Sequence, residues 1–334
     1  MTTHPIKYFL ILVTLLCCNL GKSQDVSNEK LNALIDFCDS TKADEILVQH
    51  KGKIISHWKR TDFSKVQSEF ANPECGSPYM GTASMVKSWT GIVTGMLLDI
   101  GTIDSLDAPA CKYIPEWKAG CENNITIRHL LTMTAGLNRK GPRGVLSQSD
   151  MNQYVLNLKP DTLPGIRFSY SNESVQLLGL IIERATGKKA DVVFKELLFT
   201  PLKMDSTTLS LDSVGNVIVY GGCKTTVKDA VKVGQLMLNQ GRYDNKQIVS
   251  SQWVKASVTP HSLAPYYGYL WWIDKSSENW NYAATGDLGQ MTIVFPESEL
   301  VFIRKQTCDL SPASVNMTWM GPGFLTLLAN ITKP

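Results

Sequence analysis

Apolar positions first recur with a helical period: Leu31, Leu34, Ile35 and Cys38 fall at i, i+3, i+4 and i+7, one stripe on a helix over about 28–40. The pattern then becomes that of a hairpin. Residues 45–50 and 53–58, rich in isoleucine, leucine and valine, flank Lys51-Gly52, a two-residue turn in which glycine supplies positive φ. Residues 61–83 are polar, carry Pro73, Gly76 and Pro78, and read as an irregular lead-in. From Ser84 to Ile100 a second helix runs through Val86, Trp89, Ile92, Val93, Met96 and Leu97, with Gly101 as its left-handed stop.

Between about 102 and 250 the pattern is mostly helical with long loops: 127–134, 175–186 ended by Gly187, 190–198 ended by Pro201, and 226–239 ended by Gly241. The last eighty residues change character. Segments 267–273, 281–284, 290–295 and 300–303 read as successive strands, 296–299 as a hairpin loop, and a final helix is predicted over about 319–331. Strands at both ends with helices between predict an α/β (α+β) fold. An antiparallel sheet formed from both termini (about 25–60 and 250–334) carries an inserted, mostly helical lobe (about 80–250).

The first residues change the picture of where this chain works. Lys7, the short apolar run 8–16 and the polar 21–24 have the form of a secretory signal over 1–24, whose apolar run is too short to span a bilayer. Its removal would take Lys7 and Lys22 and lower the net charge from +3 to +1. No basic stripe remains to hold a phosphate backbone, which argues against nucleic-acid binding. At 43% hydrophobic and 19% charged, the rest can bury a full core. Cys17 or Cys18, after the leucines, could carry a lipid, and membrane attachment is expected only in that case. Six cysteines remain in an exported chain (Cys38, Cys75, Cys111, Cys121, Cys223, Cys308), so disulfides are expected, Cys111–Cys121 closing a local loop among them. Their spacing matches no zinc pattern, and no metal or other cofactor is implied.

Chemistry must come from elsewhere. There is no Gly-x-Ser-x-Gly elbow, phosphate loop or dinucleotide fingerprint. Ser-x-x-Lys occurs at Ser27/Lys30, Ser56/Lys59 and Ser84/Lys87. On a helix, residues three apart share a face, so a desolvated lysine can take up the serine proton. Ser27/Lys30 lies on a polar helix start, and Ser56/Lys59 lies in a strand, where an offset of three points the side chains to opposite faces. Only Ser84/Lys87 opens a long apolar helix. By spacing alone that pair also reads as a capping serine with a solvated lysine. The five histidines lie in the signal, the first hairpin, a helix start (His129) and a polar loop (His261), so a Ser-His-Asp triad is unsupported and His129 reads as a structural hydrogen-bonder.

The segment Gly81-Thr82-Ala83-Ser84-Met85-Val86-Lys87-Ser88-Trp89-Thr90-Gly91 resembles the nucleophile segment of the serine β-lactamase and penicillin-binding-protein superfamily, in its class C β-lactamase and esterase-like branch. The likeness continues through 104–109, 113–117, 125–137 and 177–183 and covers most of the mature chain. Tyr170-Ser171-Asn172 matches the branch's Tyr-x-Asn element, whereas Tyr243-Asp244-Asn245 follows Gly241-Arg242 and reads as a surface turn. The resemblance implies a β-lactamase-like fold, Ser84 as nucleophile, Lys87 with Tyr170 as proton acceptor and donor, and Asn172 holding Lys87 and the substrate. The third element departs from the pattern. Where relatives carry Lys-Thr-Gly or His-x-Gly, the segment 283–290 puts Asp287 at the cation's place, keeps Gly289, and leaves the Gln290 amide to pair with that of Ser84 as an oxyanion hole.

An exported serine hydrolase cleaving a small ester or amide through an acyl-enzyme is therefore expected. The alternatives are a non-catalytic β-lactamase-like binding protein, which Asp287 would favour, and a D,D-peptidase or β-lactamase proper, which Asp287 disfavours. Tyr269 or Trp271, from an aromatic run on one strand, is expected to wall the pocket. Asn172-Glu173-Ser174 is also a glycosylation sequon, as are those at Asn124, Asn316 and Asn330, but a glycan on Asn172 would block the cleft.

Overall fold

The computed structural model describes residues 26–332 apart from 65, 67–71, 73, 139–143, 276–279 and 310–319. The signal-like segment with Cys17 and Cys18, and the Asn316 sequon, lie outside the described residues. Helix α1 (Asn28–Ser40) begins where the Ser27 hydroxyl accepts the Lys30 N–H, and buries Leu31, Leu34 and Cys38. Strands β1 (Glu45–His50) and β2 (Lys53–Lys59) form the first hairpin, with both turn residues at positive φ, Lys51 at 49° and Gly52 at 74°. The segment from Ser84 is not one continuous helix. A 3-10 turn, Ala83–Met85, leads into α2 (Val86–Asp99), and Gly101 follows at φ 74°.

Helix α3 (Asn172–Thr186) starts at Ser171, whose hydroxyl accepts the Ser174 N–H, and stops at left-handed Gly187. Helix α4 (Val227–Leu238) is capped by Thr226. Then come β3 (Trp272–Asp274), β4 (Asn281–Gly286), β5 (Gln290–Phe295), β6 (Leu300–Lys305) and α5 (Pro322–Asn330). The strand expected over 267–273 is shorter than the alternation suggested. Leu270 sits at φ 62°, and its carbonyl accepts the buried Ser88 hydroxyl, so the chain before Trp272 bends along α2 instead of extending.

The sheet order is β2-β1-β6-β5-β4-β3, every pair antiparallel, with Glu45 opposite Lys305. The two ends of the chain thus share one sheet, as the pattern predicted. Its faces are covered differently. On one side α1 and α5 pack Leu34, Cys38, Phe324 and Leu328 against Ile46, Val48, Ile293 and Phe302. On the other, α4 comes so close that a side chain at Gly234 would stand 2.4 Å from Val301. Central α2 is buried along most of its length, and each fully buried Ile, Leu or Val adds about 1.5–3 kcal/mol of transfer free energy. Its Gly95 faces the Trp253 ring, 2.2 Å from where a Cβ would stand, so only glycine lets that indole seat on the helix.

Two disulfides form. Cys111–Cys121 is the local bridge expected, and Cys75–Cys308 ties the lead-in of the nucleophile segment to the chain just beyond β6. Cys38 and Cys223 are buried thiols, and burial pushes the Cys38 pKa up to about 12. No helix among the described residues is long and apolar enough to cross a membrane.

Candidate active site

The 3-10 turn that leads into α2, together with the first turn of α2, brings Ser84 and Lys87 together. The Lys87 ammonium donates to Ser84 Oγ at 2.7 Å and to the Tyr220 carbonyl at 2.7 Å, and only 1% of the residue is exposed. A solvated first-turn lysine is excluded by that burial. Taking an ammonium out of water costs several kcal/mol unless hydrogen bonds replace the lost solvation, so the position is one that packing alone would not choose. The Lys87 nitrogen also lies over two aromatic rings, 5.1 Å from the centroid of Tyr170 and 5.6 Å from that of Tyr220.

The backbone around Ser84 is held from outside. Thr82 N–H donates to the Cys223 carbonyl at 2.8 Å, and Met80 and Gly81 pair with Thr225 and Lys224. Ala83 is forced to φ 46°, a left-handed conformation that costs an alanine about 1–2 kcal/mol. That strained residue turns the chain so that Ser84 can face the sheet.

Tyr170 and Asn172 arrive at the start of α3. Ser171 and Glu173 anchor this start: the buried Glu173 carboxylate accepts the Ser171 hydroxyl at 3.1 Å and the Val145 N–H at 3.2 Å. Tyr170 is half-buried, with its ring above Lys87, and Asn172 is the first helical residue, 7% exposed. The Tyr170 ring stacks on Trp272 at 5.6 Å and meets Tyr267 edge-on at 6.2 Å. Burial and the neighbouring Tyr170 raise the Tyr267 pKa well above the usual phenol range. The Tyr220 phenol is raised as well, by burial first and then by the Glu173 and Asp212 carboxylates, so neither tyrosine ionises near neutral pH.

The edge of the cleft is the last part of β4, and here the sequence reading needs correction. A Cβ at Gly286 would stand 2.3 Å from the Thr82 carbonyl and 3.1 Å from the Ser84 amide nitrogen, so Gly286 is the glycine pressed against the nucleophile segment. Asp287-Leu288-Gly289 is the 3-10 turn after the strand, with Leu288 at φ 67°. Asp287 is exposed in that turn, and Gly289 is buried, its carbonyl accepting from the guanidinium of Arg304 at 3.0 Å. The strand residues beside Ser84 are therefore Ala284-Thr285-Gly286. Ala284, fully buried, stands where a cation was sought. Gln290, whose backbone amide was the expected oxyanion donor, lies on β5 beyond the turn, paired with Gly286, and its side chain exchanges hydrogen bonds with the Gln306 backbone.

Tyr269 and Trp271 do not wall the cleft. The Tyr269 ring lies against Trp253 at 5.3 Å and its hydroxyl accepts from Arg128, while Trp271 is in the core with no exposed surface. Trp272 takes that place. Sequence reasoning also missed Tyr220, whose only role visible at Lys87 is a backbone carbonyl and a ring face, and Arg304, fully buried beneath the 287–289 turn. Burial lowers the Arg304 pKa to about 10, and the guanidinium donates to the carbonyls of Leu288, Gly289 and Thr41 and to Gln306 Oε1. His129 is structural: it closes a capping box with Thr126, whose N–H donates to His129 Nδ1 at 3.2 Å.

The profile of the Beta-lactamase family matches residues 76–314, a span that includes Ser84, Lys87, Tyr170, Asn172 and Gly286. A Beta-lactamase of Escherichia coli K12 is 26% identical over 256 residues, 75% of this chain and 66% of that one. A 6-aminohexanoate-dimer hydrolase of Paenarthrobacter ureafaciens is 23% identical over 313 residues, covering 84% and 76%. The chain thus spans about two thirds to three quarters of these two relatives. A putative 6-aminohexanoate-dimer hydrolase from Bacillus anthracis superposes with a TM-score of 0.73 at 22% identity, over 89% of this chain and 81% of that one. A putative beta-lactamase from Bacteroides dorei gives 0.72 at 19% identity, over 92% of this chain and all of the other.

Proposed function

Because the chain belongs to the Beta-lactamase family, a family of serine hydrolases, we propose that it is an exported serine hydrolase that cleaves small neutral esters or amides through an acyl-enzyme. The observation that carries this reading is the buried Lys87 Nζ held 2.7 Å from Ser84 Oγ. With Lys87 in its neutral amine form, Ser84 Oγ attacks the substrate carbonyl carbon while its proton passes to Lys87 Nζ, which hands a proton on to Tyr170 as the phenol gives up its own. The tetrahedral centre collapses, and the alcohol or amine leaves with the proton returned by Tyr170. Water then repeats the attack on the acyl-serine ester, releasing the carboxylic acid and restoring Ser84.

Asn172, at the start of α3, positions the lysine and a polar group of the substrate. The oxyanion is held by the Ser84 amide and by the amide that follows Gly286, that of Asp287, in place of the Gln290 amide; a pair of backbone donors of this kind is worth on the order of 3 kcal/mol or more. Ala284, in the strand beside the nucleophile, supplies no positive charge to attract a carboxylate, which favours neutral substrates.

Labelling with a fluorophosphonate and mapping the adduct by mass spectrometry tests the reading: the probe should sit on Ser84 and be lost in Ser84→Ala. Labelling that survives in that variant overturns the assignment. Side by side, p-nitrophenyl acetate should be hydrolysed far faster than a chromogenic cephalosporin, and the opposite order would refute the substrate class.

A further inference from the structure

Behind Trp272, whose ring stacks on Tyr170, and on the face of β4 that looks away from α2, lies a hollow of about 340 Å³. Ala283 and Thr285 of β4 and Ile293 of β5 form its floor, and Tyr266, Trp272 and Leu325 form its walls. Its volume lies within the range of small-molecule sites. Its surface is mostly apolar, although Asp274 and Asn281 also line it, and it is left partly in water: Tyr266 is 47% exposed and the neighbouring Met320 38%. Apolar surface left in contact with solvent gains by being covered.

Two contacts join the hollow to the chemistry. Thr285 immediately precedes Gly286, the residue pressed on the Ser84 amide, and Trp272 stacks on Tyr170. Taking the reading of Ser84 as nucleophile, on which this inference rests, Tyr170 faces the oxygen or nitrogen that departs. A group continuing past that atom meets Trp272 and enters the hollow. We propose that this hollow binds an apolar chain or ring on the leaving side of the substrate, so that the preferred substrates are esters of apolar alcohols or amides of apolar amines. The acyl side carries no such demand.

A series of alkyl acetates from ethyl to octyl, followed by proton release in a pH-stat, reads this directly. Each methylene that enters the hollow should raise kcat/KM about fourfold until it is full. Lengthening the acyl side of ethyl esters should give no such slope. Ala283→Phe fills the floor, and Leu325→Asp, on the partly exposed C-terminal helix, charges the wall should the first variant fold poorly. In either, the hexyl-to-ethyl acetate ratio should fall about tenfold or more. Octan-1-ol, titrated against tryptophan fluorescence, gives a readout that needs no turnover, and should half-saturate about tenfold or more below butan-1-ol. Tight octan-1-ol binding without ester hydrolysis leaves the hollow standing and removes the hydrolase reading. Ester hydrolysis with a slope on the acyl side only, with ratios unmoved in both variants, or with octan-1-ol binding no tighter than butan-1-ol overturns the hollow and leaves Ser84 untouched.

Discussion

The Tyr220 carbonyl and the Ser84 hydroxyl share one ammonium: Lys87 Nζ stands 2.7 Å from each. The carbonyl comes from a loop more than a hundred residues further along, so the lysine is aimed by tertiary structure and not by its helix alone. Lys87→Met keeps the length and the apolar stem and removes the amine. Ester turnover should fall about a hundredfold or more, as the loss of positioned proton transfer usually dictates. Stability should change little, because the relief of an ammonium that no longer has to be buried offsets the hydrogen bond lost at the Tyr220 carbonyl. Steady-state rates and a thermal melt on the same preparation check both halves.

Gly286→Ala should separate fold from function. The added methyl would stand 2.3 Å from the Thr82 carbonyl, a backbone atom that cannot swing aside, so the nucleophile segment must shift. Overpacking of this kind costs about 1–3 kcal/mol, which a chain of this size survives, while fluorophosphonate labelling of Ser84 should slow by about a hundredfold or more. Gly289→Ala, in the turn beyond, should leave the labelling rate within about tenfold of the parent even though it strains a residue at φ 78°.

The two disulfides should differ in worth. In the chain-entropy account the stabilisation grows with the logarithm of the loop closed. A separation of 233 residues for Cys75–Cys308 against 10 for Cys111–Cys121 then gives the longer bridge an advantage of about 3 kcal/mol. Denaturant titration of the two double-serine variants should show the Cys75/Cys308 pair as the more damaging loss. Equal losses would mean that the unfolded chain is already compact.

Acid should destabilise the protein below about pH 6.5, and His129 carries part of the effect. Burial holds its pKa below the ordinary histidine value, with Arg128 adding to the depression and Asp107 opposing it. Its Nδ1 must also stay unprotonated to accept the Thr126 N–H. The unfolded chain therefore takes up the proton first as pH falls, so this stability is present above the unfolded pKa and is lost as pH drops from about 6.5 toward the folded value. His129→Gln keeps an acceptor at the same helical position without the titration. Its melting temperature should fall less than the parent's between pH 7.5 and 5.5. Some slope should remain, because burial lowers His50 and His261 too.

Much of this molecule is legible in its sequence because helix stops and turn glycines are local signals. Gly101 and Gly187 end α2 and α3 where the pattern places them, and Lys51-Gly52 turns the first hairpin. Ser84 and Lys87 are legible through the segment around them, because their spacing alone also fits a capping serine with a solvated lysine and their contact joins a 3-10 turn to α2. The strand beside them is not. Gly286 and Gly289 both end a plausible motif three residues apart, and only the approach of the Thr82 carbonyl, from a distant part of the chain, tells them apart. The aromatic run 266–272 misleads similarly: alternation suggested a strand, but the Ser88 hydroxyl draws the Leu270 carbonyl out of line. Cys75–Cys308 has no local signature at all.

The pairing of Glu45 with Lys305 also sets a timetable. While the chain is being made, β1 and β2 emerge early, but the partner that completes their sheet appears only after α2, α3 and α4. At about 5–20 residues per second the first hairpin waits roughly 10–50 s with an open edge, whereas α2, α3 and α4 can begin to collect their apolar neighbours meanwhile. Gly286, on the strand that completes the cleft, arrives in the same late interval. A chain shortened before β4 thus has Ser84 and Lys87 in hand with no strand against them, so the proposed hydrolysis requires β4 to be present and does not grow gradually with chain length.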